Sequence, residues 1–181
     1  MAVEILGERV ILKSIEDEDI PVLWELIYGT ENPEWKKWDA PYFPLKKKTL
    51  GEYRKSINLP NSYDSIAKLG IWVSKDLIGT VGYYWEHKAS NWLEMGIAIY
   101  DEQYWSEGYG RETLKLWISH LFETMPLVRV GLTTWSGNIR MLKCAENLGM
   151  KQEAKLRKCR LWQETYYDSI RYGILREEWE A

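Results

Sequence analysis

Gly108 and Gly110 lie in a turn between a predicted strand and a predicted helix, and their type and spacing suit the binding of an anion. The first turn of a helix carries backbone N–H groups without intrahelical partners, together with the positive end of the helix dipole. Glycine allows the backbone to bend so that successive N–H groups point at one anion. The turn is therefore a candidate site for a phosphate or diphosphate, although Gly-x-Gly spacing also suits a turn that only sets backbone geometry.

The residues around this turn exclude two common phosphate-binding loops. A Walker loop needs Gly-Lys-Ser/Thr, but Gly110 is followed by Arg111 and Glu112. The dinucleotide fingerprint Gly-x-Gly-x-x-Gly needs a third glycine where this chain has Thr113. We therefore expect a phosphate-bearing ligand of another kind.

The elements that hold the turn are predicted to be a buried strand and an amphipathic helix. Residues 91–100 alternate between two largely apolar sets of side chains, which predicts a central strand buried on both faces. A strand over residues 128–134 and a helix that Gly149 terminates follow further along the chain. The helix after the turn stops at Pro126, and its apolar stripe consists of Leu114, Trp117, Ile118, Leu121 and Phe122.

The rest of the chain is predicted to add further strands and helices. These are a strand over residues 10–15, helices over 20–29 and 49–59, a hairpin over 66–85 with its turn at 75–76, and two antiparallel strands around 162–164. Residues 31–44 combine prolines with aromatic side chains and are predicted to form a loop. Because there is no repeat or linker, we expect one domain over residues 1–181.

Composition excludes several classes of protein. The net charge is −3 and no basic run exceeds residues 46–48, which argues against a nucleic-acid partner. The 2 cysteines and 2 histidines are separated, so neither a disulfide framework nor a zinc site is expected. No apolar run approaches the roughly 20 residues of a membrane helix, and the N-terminus lacks a signal core. We expect a cytoplasmic protein without metal or membrane partner.

The 11 Trp and 12 Tyr predict either a tryptophan-rich core or an aromatic-lined pocket.

Four segments in order resemble one family. Residues 104–112, Tyr-Trp-Ser-Glu-Gly-Tyr-Gly-Arg-Glu, resemble the coenzyme-A loop of the GNAT (Gcn5-related N-acetyltransferase) superfamily, especially its ribosomal-protein N-acetyltransferase branch. Residues 6–12 resemble the opening strand of that branch, Asn138 ahead of Gly149 resembles its following helix, and residues 167–179 resemble its final strand. Together the segments span nearly the whole chain.

The resemblance implies a fold and an activity. The fold would be α+β, with a mixed, mostly antiparallel sheet of six or seven strands flanked by helices and with splayed central strands. The chain would move an acetyl group from acetyl-CoA to a primary amine, either a protein N-terminal α-amine or a small-molecule amine. The amine would attack directly in a ternary complex, without a metal, and the protein would be a monomer or homodimer.

The resemblance also assigns roles to individual residues. Ile97 and Ile99 would pair through their backbone with pantetheine, and an N–H near Ile97 or Ala98 would polarise the thioester carbonyl. Asn138 would contact the coenzyme arm, which is compatible with an ordinary N-cap role. Arg111 would contact phosphate or pair with Glu112 on the surface. The diphosphate would be held by backbone amides of Ser106, Glu107, Gly108, Tyr109, Gly110 and Arg111, with the Glu107 side chain pointing outward.

The acid and base of the reaction are harder to assign. Glu94 is either a general base acting through water or a buried carboxylate paired with a Lys or Tyr. Where branches of the family place a Ser or Tyr acid, this chain has Met141 and Ala145. A carboxylate found late in the sixth strand of some members falls at Arg160, and Cys144 is expected to be a buried, inert thiol.

Without a strong base, an acceptor of low pKa is favoured. An α-amine with a pKa of about 7.7–8.0 is far more often neutral near pH 7 than a lysine amine with a pKa of about 10.4. Trp35 and Trp38 lie where this fold places its acceptor loop, and either line the acceptor pocket or anchor the loop on the sheet. Two alternatives remain: a non-catalytic acyl-CoA-binding or sensing module, and an interaction protein that uses a Trp-rich surface.

Overall fold

The computed structural model describes residues 3–57 and 68–181. The predicted end of the second helix at residues 58–61 and the predicted start of the hairpin at residues 66–67 lie outside these ranges. Within them, no helix is both long and apolar enough to cross a membrane. The elements are β1 (Glu4–Leu6), β2 (Val10–Ser14), α1 (Ile20–Tyr28), α2 (Leu50–Ile57), β3 (Lys68–Val73), β4 (Asp76–His87), β5 (Trp92–Ile99), α3 (Tyr109–Thr124), β6 (Arg129–Trp135), α4 (Ile139–Asn147), β7 (Lys151–Trp162), β8 (Thr165–Leu175) and α5 (Arg176–Trp179).

The described strands form one mixed sheet in the order β1-β2-β3-β4-β5-β6-β8-β7. Every neighbouring pair is antiparallel except β5 and β6, which are parallel. The sheet has 8 strands rather than the six or seven expected. The additional strand arises because the opening segment folds back on itself, so that Glu4 pairs with Lys13 and Leu6 with Ile11.

The parallel pair in the middle of the sheet is short. β5 and β6 are in register only at Leu93 with Val130 and at Glu94 with Gly131, and beyond these positions the two strands diverge. The prediction that residues 91–100 are buried on both faces is therefore wrong for the second half of β5. Leu93 to Met95 are buried, but Gly96 is exposed and residues 97–99 are half-buried, because none of the described strands pairs with β5 on that side beyond Glu94.

Helices cover both faces of the sheet. The predicted apolar stripe of α3 is entirely buried, with Leu114, Ile118 and Leu121 fully inaccessible to solvent. α3 packs on β2, β4 and β5, whereas α1 packs on β4 from the other side. A smaller apolar cluster under α1 includes Leu23 and Trp35. The two layers hold β5 between them and fix the position of its free edge.

The turns follow the sequence prediction with small shifts. Ser74 takes a φ of +54°, which places the β3–β4 turn at residues 74–75, one position earlier than predicted. Gln163 and Glu164 have φ values of +48° and +60° and form the predicted turn of the last hairpin. Gly149 follows α4 with a φ of +81°. The last residues form α5 rather than the end of a strand.

Candidate active site

The divergence of β5 and β6 opens a cavity of about 880 Å³. Its walls are the free edge of β5, the N-terminal turns of α3 and α4, and the loop over residues 35–43. Because α3 and the loop lie on opposite faces of the sheet, the cavity connects the two faces through the gap between the strands. A ligand that enters from one face can therefore meet a ligand that enters from the other.

The N-terminus of α3 opens into this cavity without a capping side chain. Gly108 is the N-cap residue, has a φ of +87°, and forms no side-chain cap hydrogen bond. Ser106 also has a positive φ, of +63°, so the backbone turns twice before the helix begins. Amide groups at an uncapped helix start need an outside acceptor, which an anion can supply.

Five of the six predicted diphosphate residues border the cavity, and Tyr109 does not. The Tyr109 ring lies 5.8 Å from the Tyr104 ring and 4.7 Å from the Arg9 guanidinium carbon. Glu107 is exposed, and the outward direction of its side chain stays a prediction. The cavity is bordered by Ser106, Glu107, Gly108, Gly110 and Arg111.

Arg9 and Glu112 hold the turn from behind, a contact that sequence reasoning missed. The Glu112 carboxylate accepts hydrogen bonds from the backbone N–H groups of Arg9 and Val10 at 2.8 and 3.0 Å, and Arg9 donates to the Glu107 carbonyl at 3.0 Å. Burial raises the pKa of Glu112, but these backbone bonds and the Arg9 charge outweigh it and leave the pKa below its usual value. Arg111 consequently has no surface pair with Glu112 and borders the cavity instead.

The free edge of β5 forms the floor of the cavity. Ile97 and Ala98 pair with Val81 and Thr80 of β4 on one side only. Trp105 donates from its indole Nε1 to the Ile99 carbonyl at 2.8 Å, which ties the end of the strand to the segment before α3. The remaining backbone groups of this edge are available to a ligand.

Asn138 is the N-cap of α4, as the N-cap interpretation expected. Its side-chain oxygen accepts from the Met141 N–H at 3.2 Å, while its Nδ2 donates to the Trp38 carbonyl at 3.1 Å. The indole of Trp135 donates to the same carbonyl at 2.7 Å. Asn138 therefore joins the start of α4 to the loop on the other face, and a contact with coenzyme stays a prediction.

Replacing Asn138 by alanine is expected to lower the free energy of unfolding by about 1–2 kcal/mol, because the cap and the bond to the loop are both lost. Asn138→Asp keeps an oxygen for the cap and removes only the donor to Trp38, so it should cost less. Chemical denaturation of the two variants measures the difference. Equal destabilisation by alanine and aspartate would contradict the capping role.

Trp35 and Trp38 take different roles in the loop. Trp35 is buried, donates to the Ile27 carbonyl at 3.3 Å and meets the Tyr100 ring edge-on at 5.1 Å, so it anchors the loop. Trp38 is half-buried, and the Arg140 guanidinium lies 4.0 Å from its ring and 4.2 Å from the Trp105 ring. This stack links the loop to the segment before α3 across the cavity.

Glu94 lies behind the cavity wall in a network of donors. It is 2% exposed and accepts hydrogen bonds from Tyr84 Oη at 2.9 Å, from the Thr133 hydroxyl and from Arg171 at 3.4 Å. Tyr84 and Thr133 reach the cavity surface, whereas Glu94 does not. The carboxylate is thus paired with a tyrosine, and any proton it exchanges with a ligand passes through Tyr84 or Thr133.

Tyr84 is a site residue that sequence reasoning missed. Burial, together with the negative charge and hydrogen bond of Glu94, raises its pKa well above the ordinary value, so the hydroxyl is protonated at neutral pH. The sequence contained one clue to Tyr84, the register between the predicted hairpin and the predicted strand that follows it. When the two strands are paired, Tyr84 lies directly opposite Glu94.

The two positions at which the family resemblance would place a general acid, 141 and 145, have no acidic side chain. Met141 borders the cavity and has no acidic proton, and Ala145 is fully buried. Cys144 is half-buried and borders the cavity, so the prediction that it is buried is wrong. Partial burial raises the pKa of its thiol to about 11, so the thiol is neutral near pH 7. Within residues 3–57 and 68–181, no three His, Cys, Asp or Glu side chains group in a way that could hold a metal.

Known proteins share this sequence pattern and this fold. A family model described as an acetyltransferase (GNAT) domain matches residues 9–151. The SPbeta prophage-derived uncharacterized N-acetyltransferase YokL of Bacillus subtilis (strain 168) is 23% identical over 174 residues, which cover 96% of this chain and 94% of that protein. Solved structures with the same fold include two acetyltransferases in complex with coenzyme A.

The first of these structures is spermidine N-acetyltransferase from Vibrio cholerae in complex with CoA and spermine. It has a TM-score of 0.80 at 17% identity and covers 97% of this chain and 100% of its own. The second is RimL, a ribosomal L7/L12 alpha-N-protein acetyltransferase in complex with coenzyme A. It has a TM-score of 0.75 at 15% identity and covers 96% of this chain and 98% of its own.

Proposed function

We propose that this chain, which belongs to the GNAT acetyltransferase family, transfers the acetyl group of acetyl-CoA to nitrogen. Its acceptor is a primary amine of low pKa that attacks the thioester directly. The observation that carries the proposal is the uncapped N-terminus of α3 at the mouth of a cavity that runs between splayed strands. This arrangement gives an anionic thioester and an amine separate routes to one point.

The coenzyme is placed by charge and by free backbone groups. The first turn of α3 offers unpaired N–H groups and the positive end of a helix dipole to the diphosphate. Arg111 and Lys143 add positive charge at the border of the same cavity. The free edge of β5 at Ile97 and Ile99 offers backbone groups to the amides of pantetheine, as a neighbouring strand would.

The acetyl group would lie beside the gap between β5 and β6. A backbone N–H near Ile97 or Ala98 would donate to the thioester oxygen and stabilise the negative charge that develops there. The amine nitrogen forms the new C–N bond, the C–S bond breaks, and CoA leaves as a thiolate. Since a thiol has a pKa of only about 8.5, the thiolate leaves without an acid on α4, where Met141 stands, and is protonated from water.

The proton of the amine would leave through Tyr84. Its hydroxyl accepts the proton from the attacking nitrogen while giving its own to Glu94, to which it already donates at 2.9 Å. Thr133 and Arg171 hold the carboxylate in position for this transfer. Glu94 therefore takes part as the final proton acceptor rather than by touching the amine.

A low-pKa amine suits this arrangement. The route through Tyr84 removes a proton during or after attack, but the amine must be neutral to attack at all. An α-amine with a pKa of about 7.7–8.0 is roughly a tenth neutral at pH 7, against a few parts in ten thousand for a lysine amine of pKa about 10.4.

We propose a reducing, cytoplasmic location, because both cysteines are unpaired.

The test is thiol release from acetyl-CoA with a panel of amines at pH 6–9. We expect α-amines to react faster than lysine-type amines at pH 7. The rate with lysine-type amines should rise about tenfold per pH unit up to pH 9, while the rate with α-amines levels off near pH 8, in line with their free-base fractions. A lysine-type amine that is preferred at pH 7 would contradict the proposed acceptor. Tight acetyl-CoA binding without turnover would instead indicate a sensing module.

A further inference from the structure

Arg160 is a cation on the acceptor side of the cavity for which the proposed reaction has no use. It lies on β7 and borders the cavity, with its guanidinium carbon 5.0 Å from the Tyr42 ring centre and 5.2 Å from that of Phe43. Its Nε is buried and has no hydrogen-bond partner. None of the ion pairs among residues 3–57 and 68–181 involves Arg160.

A bulge in β7 sets the direction of this side chain. The pairing of β7 with β8 shifts between Leu156 and Arg160, and Lys158 within the bulge has a φ of +53°. Asp168 fixes the bulge by accepting from the Lys158 N–H at 2.8 Å. Bulges beside active sites commonly re-aim a side chain, and here the pairing resumes at Arg160 opposite Tyr167.

The guanidinium lies beside two rings whose planes are inclined at 68° to each other. A guanidinium presents five N–H donors in one plane, where they match both oxygens of a carboxylate. Burial raises the pKa of Tyr42, and a side-chain hydrogen bond with Arg160 and the charge of Arg160 oppose that rise, so the guanidinium lies close to the phenol. A partly buried cation without a carboxylate partner is costly, and an incoming carboxylate would offset that cost.

Asp39 is the carboxylate that faces the same region from the loop. It borders the cavity and acts on Tyr42 with a charge opposite to that of Arg160. Asp39 and Tyr84 also border a smaller hollow of about 180 Å³ on the same face. The acceptor side therefore has an anion that shares a hollow with Tyr84 and a cation on β7, the two charges that complement an amine bearing a carboxylate.

We propose that Arg160 binds a carboxylate of the acceptor, so that the substrates are amines bearing a carboxylate within a few bonds of the reacting nitrogen. This inference rests on the proposed function, since it assigns the acceptor of the same reaction. The carboxylate is the acidic side chain of a residue near a peptide N-terminus, whose α-amine keeps the low pKa that the proposed function requires. A carboxylate of this kind can make a bidentate contact with arginine.

The test compares carboxylate acceptors with their amides. Peptides that carry Asp near the N-terminus are paired with peptides that carry Asn at the same position, so that the α-amine pKa changes little within a pair. In the unmodified enzyme we expect kcat/KM to be about tenfold higher for the carboxylate of a pair. Arg160→Gln should remove this preference through KM of the acceptor, with KM for acetyl-CoA unchanged.

Arg157→Gln is the matched control, because Arg157 is an exposed arginine on the same strand and does not border the cavity. It should retain the tenfold preference. A carboxylate preference that survives Arg160→Gln, or none in the unmodified enzyme, would overturn the role of Arg160. If no amine supports thiol release, the proposed function fails and calorimetry decides separately about Arg160. Aspartate should then bind the CoA-loaded protein about tenfold more tightly than it binds the Arg160→Gln variant, and equal binding would refute the contact.

Discussion

Replacing Tyr84 by phenylalanine is expected to lower kcat about 100-fold and to leave KM for acetyl-CoA near its original value. The substitution removes the hydroxyl oxygen. Among the described residues, Tyr84 and Thr133 are the two that border the cavity and donate a hydrogen bond to Glu94, so only the path through Thr133 remains. The ring remains, so the packing of β4 on β5 changes little. The raised pKa of Tyr84 keeps the hydroxyl protonated over pH 6–9, so the loss should be similar across that range.

The same substitution at the neighbouring position provides the control for Tyr84. Tyr83 points to the other face of the sheet, where its ring stacks on Trp117 at 6.3 Å. Tyr83→Phe should leave kcat within about twofold. Glu94→Gln should reduce kcat about as far as Tyr84→Phe, and the double variant should lose little more, because residues of one relay do not act additively. Two independent losses that multiply would contradict the relay.

Replacing Gly108 by valine is expected to raise KM for acetyl-CoA about 30-fold. The φ of +87° at this position is costly for a residue with a Cβ, and most of all for a β-branched one. A Cβ there would also lie 3.1 Å from Nη2 of Arg9, the side chain that holds the turn from behind. The turn would relax and its N–H groups would no longer converge on the diphosphate. Initial rates at varied acetyl-CoA, with calorimetry of CoA binding, measure the effect.

Gly149→Val separates backbone strain from the loss of the anion site. Gly149 also has a positive φ, of +81°, and no atom lies within 4 Å of a Cβ built there. This variant should lose stability of the order of 1–2 kcal/mol through strain alone, with KM for acetyl-CoA unchanged. An unaltered KM in Gly108→Val would remove the turn from coenzyme binding.

The local features of this site could be predicted from the sequence. The turn at Gly108, the apolar stripe of the following helix, the cap at Asn138 and the last hairpin depend on residues close together in the chain. Backbone conformation, helix periodicity and capping are decided over about one or two helical turns, so the residue pattern contains them. These features resemble those of the GNAT family, and the match of the family model to residues 9–151 confirms that the chain belongs to it.

The tertiary structure decided how distant residues meet. Tyr84, Glu94, Thr133 and Arg171 come from four strands and form one network, and Arg9 reaches Glu112 across 103 positions. Arg160 faces the cavity because of a bulge in the pairing of β7 with β8. The half-exposed end of β5, which its apolar sequence predicted to be buried, follows from the divergence of β6. Strand periodicity sets which face a side chain takes, whereas register, bulges and the loss of a neighbour depend on pairing between strands that are far apart in the chain.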